Sequence, residues 1–277
     1  MEDITIIEEP IKGYLDPLAR KKTALFSVIF YILAMYVLNL VIQIFLISIS
    51  PIVTGVELYY LNDLGEKIIT PENEEFINSW TQVLIYTIMV IGLVIINYKN
   101  YQEDFTDFKN NLKKRLVEIP IGLGIFYAVS FISSLLLIIL NITDSSANQN
   151  ALEQIVFGKY GSLVLLSIFL FGPISEELIF RQSAFRLFRK GTNHWTKIIL
   201  TGVIFGSIHV TSAILMYLME GSFSAIPKEF ILGIPYILQG IALSYIYYRS
   251  NQNIIPVTIV HIINNLIAGI ALLLPAL

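Results

Sequence analysis

The chain contains no cysteine. That absence excludes a disulfide framework, a thiol nucleophile and a cysteine-held zinc site. Charge is scarce too: Asp, Glu, Lys and Arg make up 14% of 277 residues, and histidine occurs three times. No internal repeat, low-complexity tract or dividing linker interrupts the chain, and no nucleic-acid partner is expected. Apolar residues are abundant instead. Hydrophobic side chains account for 55% of the sequence and the mean hydropathy is +0.71. Such a composition belongs to a polytopic membrane protein, with membrane lipid as its surroundings.

The N-terminal segment 1–22 is polar and mixed in charge, and ends in Arg20-Lys21-Lys22. The apolar run after it is too long for a signal-peptide core and lacks a small-residue cleavage pattern. It reads as a leader followed by one membrane domain, 23–277. Apolar runs of spanning length lie near Ala24–Ile49, Ser79–Tyr98, Leu116–Leu140, Gly161–Phe180, Lys197–Leu218, Phe230–Tyr248 and Ile254–Leu277. The fold expected is an all-α transmembrane helical bundle of seven helices, or eight if the fourth run breaks at Gly172-Pro173 or the fifth breaks after His209. Lys and Arg gather on alternate connections: Arg20 to Lys22, Lys109 to Arg115, Arg186 to Lys197, and Arg249. The positive-inside rule then places the N-terminus in the cytosol.

Three constellations inside the later spans could carry chemistry. The first is Glu176-Glu177, followed by Arg181, within an apolar run where each charge costs about 2.5–3.5 kcal/mol on insertion scales. Glu177 and Arg181 are four residues apart and share a helix face, while Glu176 points about 100° away. A helix restarting at Pro173 would put both glutamates in a first turn, where the helix dipole favours anions. An ordinary amphipathic helix at the membrane interface would also explain the pair. The second is His209, roughly 18 Å into the membrane from Lys197, with Phe205 one turn before it. The third is His261 with Asn265, four residues apart in a span that has no other ionisable group. Taken singly, each histidine could be a packing residue or helix–helix glue. His194, beside Trp195, reads as interfacial.

Together the three suggest a glutamate that takes a proton from water, a histidine that orients that water, and an amide that donates to an oxyanion. One glutamate and two histidines would equally make an open zinc site.

The order EExxxR, FxxxH and HxxxN on successive hydrophobic segments resembles the CPBP family. These are the CAAX-prenyl-protease and bacteriocin-processing membrane proteases, also called Abi proteins. The motifs here are Glu176-Glu177…Arg181, Phe205…His209 and His261…Asn265, and the resemblance covers about 116–277. It implies an all-helical intramembrane endopeptidase with a cavity facing the cytosol, in a multi-pass protein of a bacterial cell membrane. Glu176 would activate water and His209 and His261 would place water or substrate. Asn265 would donate to the oxyanion, and Glu177 and Arg181 would support them. The substrate implied is a peptide or protein, in bacteriocin maturation or immunity or in CAAX-type processing. Glutamic and zinc-dependent mechanisms both stay open, as do two other classes: a non-catalytic immunity or regulatory partner protein, and a proton- or ion-coupled transporter.

Overall fold

A computed structural model describes residues 17–274. Seven helices among them are long and apolar enough to cross a membrane: α1 (Leu18–Thr54), α2 (Pro71–Ile96), α4 (Leu112–Ile139), α6 (Gly161–Leu187), α7 (His194–Met219), α8 (Phe223–Arg249) and α9 (Ile254–Leu273). Two shorter helices, α3 (Tyr98–Asn110) and α5 (Ala147–Phe157), lie between spans. A two-stranded antiparallel hairpin, β1 (Tyr59–Leu61) with β2 (Lys67–Ile69), connects α1 to α2. Most of the leader expected over 1–22 lies outside the described residues. Residues 17–22 already belong to the first helix.

The eighth span does not form. α7 runs unbroken past His209. α6 also continues through Gly172-Pro173, because the preceding turn, Ser167–Phe171, widens to a π-helix. The proline removes one backbone donor, and a π-turn absorbs that gap without ending the helix. The restart expected at Pro173 is therefore absent, and no helix N-terminus stabilises the two glutamates. A second π segment, Glu177–Ser183, carries Glu177 and Arg181.

α6 is the most buried span and sits at the centre, touching α1, α2, α7 and α9. α4 packs on α8 and α9. The outer faces of the surrounding helices are apolar and exposed, as at Ile44, Phe45, Ile91, Phe131 and Ile132, which is how a lipid-facing surface is built.

Small residues set the closest crossing. A Cβ at Gly206 would lie 2.4 Å from the backbone nitrogen of Ile237, and one at Gly240 would lie 2.6 Å from the carbonyl oxygen of Gly202. Backbones of α7 and α8 thus touch through Gly202, Gly206 and Gly240, the small-residue packing that holds helices together in lipid. This contact places Phe205 and His209 against the centre of the bundle.

Helix α3 ties one end of the bundle together with three acidic residues at helical spacing. Glu103 pairs with Arg20 of α1. Asp104 Oδ2 accepts from Gln182 Nε2 of α6 at 3.0 Å and from the backbone N–H of Ile254, the first residue of α9, at 3.3 Å. Asp107 accepts from Asn253 at 2.7 Å and pairs with Arg115 of α4. Burial raises the Asp104 carboxyl from 3.8 to about 6, against the opposing pull of Arg186 and its two donors. Tyr101, on the same helix, is also raised by burial and then by the charge of Asp104.

Candidate active site

The six residues singled out from the sequence stand on three helices that meet in the bundle: Glu176, Glu177 and Arg181 on α6, His209 on α7, and His261 and Asn265 on α9. Helical spacing explains how Glu177 and Arg181 come to face each other. The contact between α6 and α9 brings residues 84 positions apart into register: His261 Nδ1 lies 2.7 Å from Glu177 Oε1. Glu177 is fully buried, and its other oxygen lies 3.1 Å from Arg181 Nε, near enough for an ion pair though off-line for a hydrogen bond. Two charges in a dry interior are tolerated only when paired.

Arg181 is wholly buried. Its Nη2 donates to the carbonyl of Gly240 at 3.2 Å, and its guanidinium lies 4.5 Å from the ring centroid of Phe205. The glycine crossing of α7 and α8 exposes that carbonyl, and the arginine thereby joins α6 to both helices. Glu177 and Phe205 stand between it and the histidines.

Glu176 points along a separate face, as the sequence spacing requires. Its Oε2 lies 3.7 Å from His261 Nε2, and it keeps more exposure than Glu177. That separation is too long for a direct hydrogen bond and fits a bridging water. Because Glu177 holds Nδ1 of His261, Nδ1 carries the proton in the neutral ring, and Nε2 turns an unprotonated face toward Glu176.

His209 reaches the same region through Phe205. The Phe205 ring centroid lies 4.6 Å from that of His209 and 6.1 Å from that of His261. His209 Nδ1 is 2.8 Å from the backbone oxygen of Phe205, one turn earlier, so Nε2 is the nitrogen left to act. Tyr236 of α8 stacks on the His209 ring at 4.8 Å and 13°. Its hydroxyl meets Ser146 at 2.9 Å, just ahead of α5. Sequence reading missed Tyr236, since nothing in the spacing of α8 marks one aromatic as a partner to a histidine on another helix. Gln182 and Asp104 were missed as well. The signal for them was available in the 103, 104, 107 acidic spacing of a polar segment between spans.

Asn265, one turn after His261, donates from Nδ2 to the carbonyl of Ile168 at 3.0 Å. Ile168 belongs to the π segment of α6, whose widened turn frees carbonyls for outside donors. Asn264 donates to Asn265 Oδ1 at 3.2 Å, which fixes which way the amide faces. Two phenols of the N-terminal spans, Tyr31 of α1 and Tyr86 of α2, stand within electrostatic reach of Glu176. Tyr86 packs against Gly172, and Tyr31 meets Phe180 edge-on at 5.9 Å.

Zinc was the alternative to a glutamate mechanism. Among the described residues, no group of three or more His, Cys, Asp or Glu side chains gathers as a metal-ligand set. His261 and His209 each keep Nε2 free, with Nδ1 held by the Glu177 carboxylate and the Phe205 carbonyl, an orientation that serves a glutamate mechanism and a zinc ligand alike. His194 begins α7 and stacks on Tyr248 at 4.6 Å, in keeping with an interfacial place.

Residues 159–267 match the family model described as "Type II CAAX prenyl endopeptidase Rce1-like". The match spans α6 to α9 and includes all six site residues. No curated protein and no solved structure matches the chain.

Proposed function

From the Rce1-like domain that this chain carries over residues 159–267, we propose that the protein is an intramembrane endopeptidase. The observation that carries this reading is the 3.7 Å gap between Glu176 Oε2 and His261 Nε2, beside a histidine whose other nitrogen is held by a buried carboxylate. A water in that gap donates one hydrogen to the Glu176 carboxylate and the other to His261 Nε2. Its oxygen lone pairs then face outward, toward a peptide carbonyl. Glu176 takes the proton as the oxygen attacks and later returns it to the leaving amine. His209 Nε2 and the second N–H of the Asn265 amide are the donors available to the developing oxyanion, His209 as the imidazolium, because its Nδ1–H already donates to the Phe205 carbonyl. Glu177, Arg181 and Gly240 hold His261 in one tautomer and orientation, as partners beyond the reacting groups commonly do.

The basic ends of the spans face the cytosol on this reading, in a bacterial cell membrane, with the N-terminus on the same side. The substrate is a peptide or protein that reaches the site from the membrane, in bacteriocin maturation or immunity or in CAAX-type processing.

The test is cleavage of a quenched peptide library by the purified protein in H₂¹⁸O. The reading expects cleavage and one heavy oxygen in each new C-terminal carboxylate. A stable, folded protein that cuts no library member would contradict it.

A further inference from the structure

A second feature lies away from the glutamates and histidines, at the basic end of the bundle. A cavity of about 570 Å³ opens between the start of α4 and the end of α8, lined by Lys113, Lys114, Val117, Glu118, Ile121 and Arg249. The three cations are exposed. None of them forms an ion pair among the described residues. The one carboxylate in the wall is already engaged: both oxygens of Glu118 accept from Arg115 Nη1, at 3.1 and 2.9 Å. Arg115 is itself anchored to the carbonyl of Ser250 at 2.7 Å, so it does not swing away.

Three like charges around one cavity repel one another and favour an anion. The apolar wall narrows which anion. Lys113, Val117 and Ile121 recur every fourth residue and form one stripe along α4. Val117 and Ile121 are 58% and 37% exposed, and they lead from the cations onto the lipid-facing surface. A soluble phosphate would meet only the charged half of this site. A phospholipid would meet both halves, and basic pockets between spanning helices at the cytosolic face are where anionic headgroups collect.

We propose that this cavity binds an anionic phospholipid, with its phosphate among Lys113, Lys114 and Arg249 and an acyl chain along Val117 and Ile121. The site shares no residue with the proposed catalytic machinery, so it stands or falls independently of peptidase activity.

Native mass spectrometry of the detergent-purified protein tests it, with phosphatidylglycerol and phosphatidylcholine as probes. The wild type should retain phosphatidylglycerol in preference to phosphatidylcholine. The triple variant Lys113→Gln/Lys114→Gln/Arg249→Gln should bind it at least about tenfold more weakly. The control Arg189→Gln/Lys190→Gln removes two exposed cations elsewhere on the same end and should bind as wild type does. Excess inorganic phosphate should not displace the lipid. Unchanged binding in the triple variant, an equal loss in the control, displacement by phosphate, or equal retention of the zwitterionic lipid would each overturn the proposal. If the triple variant does not fold, the single variants Lys114→Gln and Arg249→Gln decide the matter: each should weaken binding about threefold, and wild-type affinity in both would refute the site.

Discussion

Replacing Arg181 with alanine should destabilise the protein by about 3–5 kcal/mol, because it leaves a buried carboxylate without its charged partner. The structure accounts for the size. Arg181 and Glu177 are both fully buried and 3.1 Å apart. The substitution also strands the carbonyl of Gly240 and removes a guanidinium lying 4.5 Å from the Phe205 ring. A desolvated cation–π contact is worth up to about 2 kcal/mol, and a buried acceptor left unmade costs about 1–3 kcal/mol. The second contact of Glu177, with His261 Nδ1, keeps the total from being their sum. Equilibrium unfolding in mixed micelles would measure it. Glu177→Gln/Arg181→Met should lose less than the two single variants together, with a coupling of about 1–3 kcal/mol. An Arg181→Ala protein within about 1 kcal/mol of wild type, but devoid of turnover, would refute the structural role and move Arg181 among the reacting groups.

Three further outcomes follow from other parts of the fold. Gly206→Ala should separate α7 from α8 and lower both stability, by about 1–3 kcal/mol, and turnover, since its Cβ would lie 2.4 Å from the Ile237 backbone; a wild-type melting curve would contradict that packing. Burial holds the Asp104 carboxyl at about 6, above its usual 3.8, so the native state keeps a proton that the unfolded chain releases. The stability of the wild type relative to Asp104→Asn should therefore be greatest below about pH 4 and decline as pH rises through about 6, by at most about 3 kcal/mol; parallel melting curves between pH 4 and 7 would sink this. Because the chain lacks cysteine, single cysteines report sidedness: in intact cells an impermeant maleimide should label Asp63→Cys, in the β1–β2 turn, and should label Asn111→Cys only after lysis. The reverse pattern would invert the topology.

Much of this arrangement was legible in the sequence. The spans could be read because lipid demands long apolar runs, and the pairing of Glu177 with Arg181 could be read because four residues make one helical turn. The orientation of Glu176 away from that pair came from the same geometry. Less legible was anything that depends on which helix lies beside which. Nothing local says that Glu177 will grip His261, or that Tyr236 will lie on His209. Those contacts follow from the order in which seven helices pack, and in particular from glycines that let α7 and α8 touch. The path through Pro173 was misread for a related reason. Proline signals a lost hydrogen bond, but whether the helix breaks or widens is decided by what surrounds it, and here a π-turn is the solution.

The central claim is that Glu176 is the base. The measurement that tests it most directly is the single-turnover cleavage rate of Glu176→Gln against wild type on one peptide found by library screening, at matched folded fraction. The substitution keeps shape and hydrogen-bonding reach while removing the basic oxygen. The account predicts a fall of at least about a hundredfold with an unchanged melting temperature, as expected when general-base catalysis is removed. A folded Glu176→Gln protein that cleaves at the wild-type rate would contradict it.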